Sequence, residues 1–377
     1  MWVPHLYKVK PAVGADPIPA ENLLNKITKE SGGKVTTISI YSDTSRTYQF
    51  NTKTKGDKSR SGTAYFVNPY TGEITGNSNE KNSMRDFMSS LFSLHRWLLL
   101  DKIEKPVFSG ITNRELGSKI TGCATIIFTL GCITGLIIWF PKKIKNWRQG
   151  LKIKTSGNWK RVNHDLHNSL AFYSLIFLLL MGVTGPQWSF DWYRTGLQKS
   201  LGTYKNPPEK VAKKNTDIVE ANVESKNPKL PELNNLNLTD YINSANAKLP
   251  YKGDYRIVLP EAGETTITLN KTRTGFFAPA AADKITINTR SGEIIKTEIF
   301  KNKPVNERIA GSIKAIHVGN VYGTFTKFLY FLACLIATSL PITGTLIWLN
   351  KLKKRKRRKV NRVWIEKKIG SKEMVTS

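Results

Sequence analysis

Three long apolar runs interrupt an otherwise polar chain. Residues 120–140 and 328–349 hold 21 and 22 residues without a charge, and at ~1.5 Å rise per residue each crosses a hydrocarbon core of ~30 Å. Residues 170–190 (LAFYSLIFLLLMGVTGPQWSF) form a third uncharged stretch of similar length. One such run alone is compatible with a buried helix of a soluble core. Three of them, with aromatic ends and basic flanks, predict membrane-spanning helices over 117–140, 165–190 and 310–349. Ahead of the first, residues 84–100 (MRDFMSSLFSLHRWLLL) have the spacing of an amphipathic helix that carries His95 and is too short to cross.

Outside these runs the pattern switches to short β-branched and aromatic strands closed by turns. Residues 1–80 read as a small α+β domain. It has a helix over 22–31 ended by Gly32-Gly33, then strands over 35–41, 47–51, 63–68 and 73–75. Residues 236–303 read as a second one, with a helix over 238–248 and strands over 255–259, 265–269, 285–288 and 293–298. The segment 141–164 is a basic loop, 191–235 a linker rich in Lys, Asn, Pro and Glu, and 350–377 a basic tail.

The two halves repeat one another. YFVNPYTGEITG (65–76) matches KITINTRSGEIIK (284–296), and Leu94-His95-Arg96-Trp97 matches Ile316-His317-Val318-Gly319. Thr134-Gly135 and Trp139 match Thr343-Gly344 and Trp348, and a basic stretch follows both. A single strand–turn–Gly-Glu match would mean little, but four elements in one order are specific. The second half opens with a span and the first does not, so a fourth, N-terminal span is inferred to be missing.

Charge changes the picture once its location is considered. A net +30 suggests a nucleic-acid binder at first. Eight basic residues and no acidic one lie in 141–164, however, and twelve basic residues against Glu366 and Glu373 lie in 350–377. Both clusters directly follow an apolar run, which is the positive-inside pattern and argues against nucleic acid. It leaves the basic segments cytoplasmic, the tail in contact with membrane lipid, and both small domains extracytoplasmic. The mean hydropathy of −0.32 averages apolar spans with polar domains. All three cysteines lie in spans, with no CxxC zinc pattern and no CxxCH haem-attachment signature.

Candidate chemistry rests on histidine. Of the five, four sit at span ends or on the helix before a span, where an imidazole is costly without a partner. His95 and His317 occupy matching outer positions. His164 and His167 lie three residues apart at the inner end of the middle span and share a helical face. His5 reads as a surface residue. Two histidines from different helices at one depth are what six-coordinate b-type haem requires. An outer pair, His95 with His317, and an inner ligand, His167 or His164, would set two haems roughly 20 Å apart. The partner of the inner ligand falls on the missing span. Taken singly, each histidine is equally an interfacial anchor or a hydrogen-bonded helix end. Arg96 and Lys327 are candidates to pair haem propionates or to anchor at the interface. Gly131, Gly135, Gly182, Gly319 and Gly323 are candidates for close approach of backbone or macrocycle, and the Thr-Gly…Trp motifs read as packing and interfacial-belt features. Zinc is the competing metal, but His164-x-x-His167 lacks the glutamate and spacing of HExxH.

On these residues (NPYTGE and NTRSGE, LHRWL at 94–98, DLHNSL at 165–170, IHVGN at 316–320, and the TG…W span ends) the chain resembles the PepSY-associated membrane proteins. These are also called iron-regulated membrane proteins or siderophore-linked ferric reductases. The resemblance covers nearly the whole chain. It implies four spans in the bacterial cytoplasmic membrane, two extracytoplasmic PepSY domains and two b haems, with His95, His317 and His167 matching the family's histidine motifs. The expectation is therefore an α-helical membrane protein with three visible transmembrane helices and two small α+β PepSY-like domains. Its expected activity is reduction of ferric iron or a ferric-siderophore outside, with electrons from quinol or a cytoplasmic reductase. The rival expectation is a haem-free membrane regulator or scaffold whose PepSY domains bind a peptide or protein partner.

Overall fold

The computed structural model describes residues 4–11, 14–54, 56–57, 62–140, 147–206, 237–261 and 263–373. The helices are α1 Pro4–Tyr7, α2 Ala20–Ser31, α3 Ser83–Trp97, α4 Asn113–Trp139, α5 Trp147–Gly150, α6 Trp159–Thr184, α7 Asp191–Ser200, α8 Leu238–Lys248, α9 Val305–His317 and α10 Gly323–Glu373. The strands are β1 Lys34–Ile40, β2 Tyr48–Lys53, β3 Thr63–Val67, β4 Ile74–Asn77, β5 Gly253–Val258, β6 Thr266–Arg273, β7 Ala282–Asn288 and β8 Ile294–Glu298.

Helices α4, α6 and α10 are long and apolar enough to cross a membrane. Side-chain caps start two of them: Thr112 accepts from the Glu115 amide ahead of α4, and Asn158 from the Arg161 amide ahead of α6. Each satisfies a backbone donor that the first turn would otherwise leave unpaired. Helix α6 is the central one, packing against α4, α9 and α10. A third of its apolar window is buried (33%), against 6% for α4 and for α10. Ile127 and Ile138 on α4 are 70% and 83% exposed, and Ile342 on α10 is 65% exposed. In water such faces would be unsatisfied apolar surface, whereas in lipid they are solvated.

All eight strands form one antiparallel sheet in the order β4-β3-β2-β1-β5-β6-β7-β8. The expected pair of separate α+β domains is corrected here. The two four-stranded meanders join through β1 and β5, with Ile38 opposite Ile257 and Ser39 opposite Arg256. Alternation along β6 and β7 buries every second residue, so one face carries the core. Helices α2 and α8 cover that face side by side, and Leu23, Ile27, Ile38, Phe50, Tyr241, Ile257, Ile267, Leu269, Ile285 and Ile287 make a single cluster across both halves. Burying an isoleucine or leucine of this kind stabilises by roughly 1.5–3 kcal/mol.

Several boundaries shift from the sequence reading. Helix α6 begins inside the expected basic loop at Trp159 and ends at Thr184, followed by a 3-10 turn over Pro186–Trp188. The expected continuous helix over 310–349 is broken: α9 ends at His317 and α10 starts at Gly323. Gly319, with φ +72, makes the reversal, and a Cβ there would stand 2.4 Å from the Tyr330 ring. Part of the expected linker is helix α7, while residues 207–235 lie outside the described residues. The basic tail continues α10 as far as Glu373.

Candidate functional site

The histidines fall at two levels of the helical bundle. At the end nearer the sheet, α3 ends two residues beyond His95, with Leu98 and Leu99 in the left-handed region, and α9 ends on His317 itself. The two helix ends bring the imidazoles together, with ring centroids 6.3 Å apart and planes at 42°. Trp188 stands edge-on to His317 at 4.9 Å. Arg96 donates Nη2 to the Trp188 carbonyl at 2.8 Å, which ties α3 to the turn after α6. Thr121 of α4 donates to the Arg96 carbonyl, and Arg114 lies over the Trp97 ring.

Desolvation pushes the pKa of His95 down, and the Arg96 charge adds to this. His317 is pushed down by burial first and by the charges of His95 and Arg96, against a contact with the Met181 carbonyl that raises it. Both rings are held toward the neutral form, the one with a nitrogen lone pair to give. A metal–imidazole bond is about 2.0 Å long, so two rings can share one ion only when they stand close together, as His95 and His317 do.

Around His317 the chain is shaped for the ring. Nδ1 lies 3.0 Å from Thr184 Oγ1. The next residue, Gly185, lies beside the ring, and a Cβ there would meet the Met181 carbonyl and Thr125 Cγ2 at 3.2 Å before His317 Cε1 at 3.5 Å.

At the opposite end of α6 the same arrangement recurs. His167 Nδ1 lies 2.8 Å from Thr343 Oγ1 on α10, and a Cβ on Gly344 would stand 3.3 Å from His167 Cε1. Asn163 donates to the Thr343 carbonyl at 3.1 Å, clamping α6 to α10 at this level. His167 and Thr184 are separated by about 25 Å of helix. His167 opens into a groove of about 750 Å³ between α4, α6 and α10, within the range of ligand pockets. Gly131, Gly135, Trp139, Gly344 and Trp348 help to line it. Added Cβ atoms at Gly131 and Gly135 would meet open space, and the buried Trp139 indole N–H finds no acceptor among the described residues.

His164 is placed differently. It lines the groove mouth, is half exposed, and its Nδ1 lies 3.5 Å from Asp165 Oδ1 and 3.4 Å from Asn168 Nδ2. Asp165, which sequence reasoning missed, is buried and accepts from Arg161 Nε and the Lys154 amide. It ties the incoming loop to α6. His5 lies exposed on α1. The candidate glycines also separate by role: Gly182 packs against Thr129 of α4, and Gly319 and Gly323 shape the turn into α10. No cluster of three or more His, Cys, Asp or Glu side chains suited to a metal occurs among the described residues. The Thr-Gly…Trp motifs that end at Trp139, Trp188 and Trp348, read from sequence as packing features, are histidine seats at two of these three places.

A family model described as the PepSY-associated TM region matches residues 2–351. Comparison with curated proteins gave no match.

Proposed function

The chain belongs to the PepSY-associated transmembrane family, and from that premise we propose that it is a haem-b electron-transfer protein of the bacterial cytoplasmic membrane. It reduces ferric iron or a ferric-siderophore on the extracytoplasmic side. The observation that carries this reading is the His95–His317 pair, two imidazoles from different helices with ring centroids 6.3 Å apart, which would hold the iron of an outer haem. One-electron chemistry would come from a b-type haem held by His95 and His317 at an outer level and from a second held by His167 at an inner one. The chain's own residues do the rest. His95 and His317 arrive from two different helix ends, Thr184 and Trp188 orient His317, and Arg96 fixes the turn that carries Trp188. At the inner level His167 and the small residues Gly131, Gly135 and Gly344 leave space for a flat macrocycle, and the Trp139 N–H, without an acceptor among the described residues, offers a donor to an acidic substituent.

Ferric chelates are held far more tightly than ferrous ones, so one-electron delivery alone releases iron. The basic segments at the far ends of the spans favour a cytoplasmic placement for the His167 end and an extracytoplasmic one for the sheet. Electrons would enter from quinol or a cytoplasmic reductase.

The experiment is an absorption spectrum of the purified protein, expressed with ample haem. A low-spin b-type spectrum that His317→Ala weakens is expected; an unchanged spectrum and intensity in that variant would remove the outer pair. A second reading, a haem-free regulator or scaffold binding a peptide or protein, draws on the edge strands β4 and β8 at the two ends of the sheet, where an extended peptide can add. Protein purified without any Soret absorption would favour it.

A further inference from the structure

Two histidines on different helices meet a threonine in one and the same way. Thr184 Oγ1 lies 3.0 Å from His317 Nδ1 and 2.6 Å from the Leu180 carbonyl one turn back. Thr343 Oγ1 lies 2.8 Å from His167 Nδ1 and 3.1 Å from the carbonyls of Ser339 and Leu340. A hydroxyl has one proton to give and lone pairs to accept with, whereas a carbonyl only accepts. With the threonine proton directed back along its own helix, the hydroxyl oxygen faces the ring as an acceptor. The imidazole nitrogen opposite then brings the N–H. Which nitrogen of a neutral histidine carries the proton is set by the bond that the other face makes.

We infer that Thr184 and Thr343 are positioning residues that hold His317 and His167 in the Nδ1–H tautomer, leaving the Nε2 lone pair of each ring for a metal. That the metal is a haem iron rests on the reading above; the tautomer itself does not. The glycine after Thr343 belongs to the same device: a Cβ on Gly344 would stand 3.3 Å from His167 Cε1, tighter than an ordinary contact, whereas one on Gly185 would make an ordinary contact with His317 Cε1 at 3.5 Å. The motif occurs a third time at Thr134-Gly135 on α4, where Thr134 donates to the Leu130 carbonyl at 2.9 Å and no histidine is bonded to it among the described residues. It is a built-in control.

The test uses the full chain, purified without haem in detergent and labelled with 15N-histidine, so that nitrogen shifts report each ring's tautomer. The Nδ1–H signature is expected for His317 and His167. Thr184→Val should shift the tautomer balance of His317 only, where the Met181 carbonyl remains as a second acceptor, and Thr343→Val should abolish the signature for His167 only. Thr184→Ser and Thr343→Ser should restore it, and Thr134→Val should change neither. An Nε2–H signature in the parent protein, or valine variants that leave the tautomers as they were, would overturn the inference. After haem addition, each valine variant should bind 10–100-fold more weakly at its own level, the usual cost of losing a partner behind a metal ligand. Tautomers that follow the threonines in a protein taking up no haem would uphold the inference while ending the haem reading.

Discussion

Ile38 of β1 lies directly opposite Ile257 of β5, and neither is exposed at all. This contact joins residues from the two halves of the internal repeat, and the core runs through it without interruption. The halves of the sheet should therefore unfold together. Ile38→Ala and Ile257→Ala should each cost about 2–4 kcal/mol, and the double variant should depart from additivity by at least ~0.5 kcal/mol. Thermal melts in detergent of the parent and the three variants measure this. Two resolved transitions, or strict additivity, would mean that the halves are independent.

Gly319 turns the chain from α9 into α10 two residues after His317. Its φ of +72 disfavours a side chain, and a Cβ would lie 2.4 Å from Tyr330 Cγ. Gly319→Ala should cost about 1 kcal/mol for the backbone alone and roughly 1–3 kcal/mol more for overpacking. Tyr330→Ala added to it should recover only a fraction of the second part, because the Cβ that alanine keeps also lies 2.6 Å from the added one. If Gly319→Ala melts with the parent, the turn is not as constrained as its geometry requires.

The local elements of this fold could be read from the chain because they rest on short-range physics. Helix α8 covers the residues that the apolar spacing of 238–248 predicts, and both hairpins form at their Asn…Gly-Glu turns, where the Asn68 and Asn288 amides bond the Glu73 and Glu293 carbonyls. The β1–β5 seam could not be read this way. Alternation reports which face of a strand is buried and is silent on which strand lies beside it. The break after His317 was hidden for a related reason, since glycine is common in membrane helices and Gly319 sits beside an apolar run. The threonine seats were illegible because Thr184 and Thr343 lie 133 and 176 residues from the histidines they meet. Only their recurrence before glycine hinted at a shared role.

Glu298 ends β8 and leads toward α9, and its carboxylate meets Lys303 at 2.6 Å and Lys296 at 2.9 Å. Hydrogen bonds from Lys303 and then Lys296 pull its pKa from 4.5 down to about 2. A carboxyl depressed by folding stabilises the protein above its unfolded pKa, and that stabilisation fades as pH falls from about 4.5 to about 2. The group is 22% exposed, so solvent screening reduces the contribution to about 1–2 kcal/mol. Glu298→Gln should be less stable than the parent by that amount at pH 7, and the difference should vanish only as pH falls below about 2. Parallel stability curves across that range would contradict the assignment.

His167 and His164 share one face of α6 yet have different surroundings, and this decides which should hold a ligand. His167 faces Thr343 and the groove, with Gly344 making room for its ring. His164 sits at the mouth beside Asp165, whose carboxylate also holds Arg161 and the Lys154 amide. A ring next to a carboxylate at an exposed position gains more from bonding to water and to that carboxylate than from entering an apolar groove. On the proposed haem reading, His167→Ala should therefore lower the haem content of the purified protein by the share of one site, while His164→Ala should leave content and spectrum as they are. Equal losses in the two variants, or a greater loss with His164→Ala, would reverse the assignment. A Thr343→Val variant that followed His167→Ala in direction, with a smaller loss, would tie the inner site to the seat on α10 rather than to the exposed end of α6.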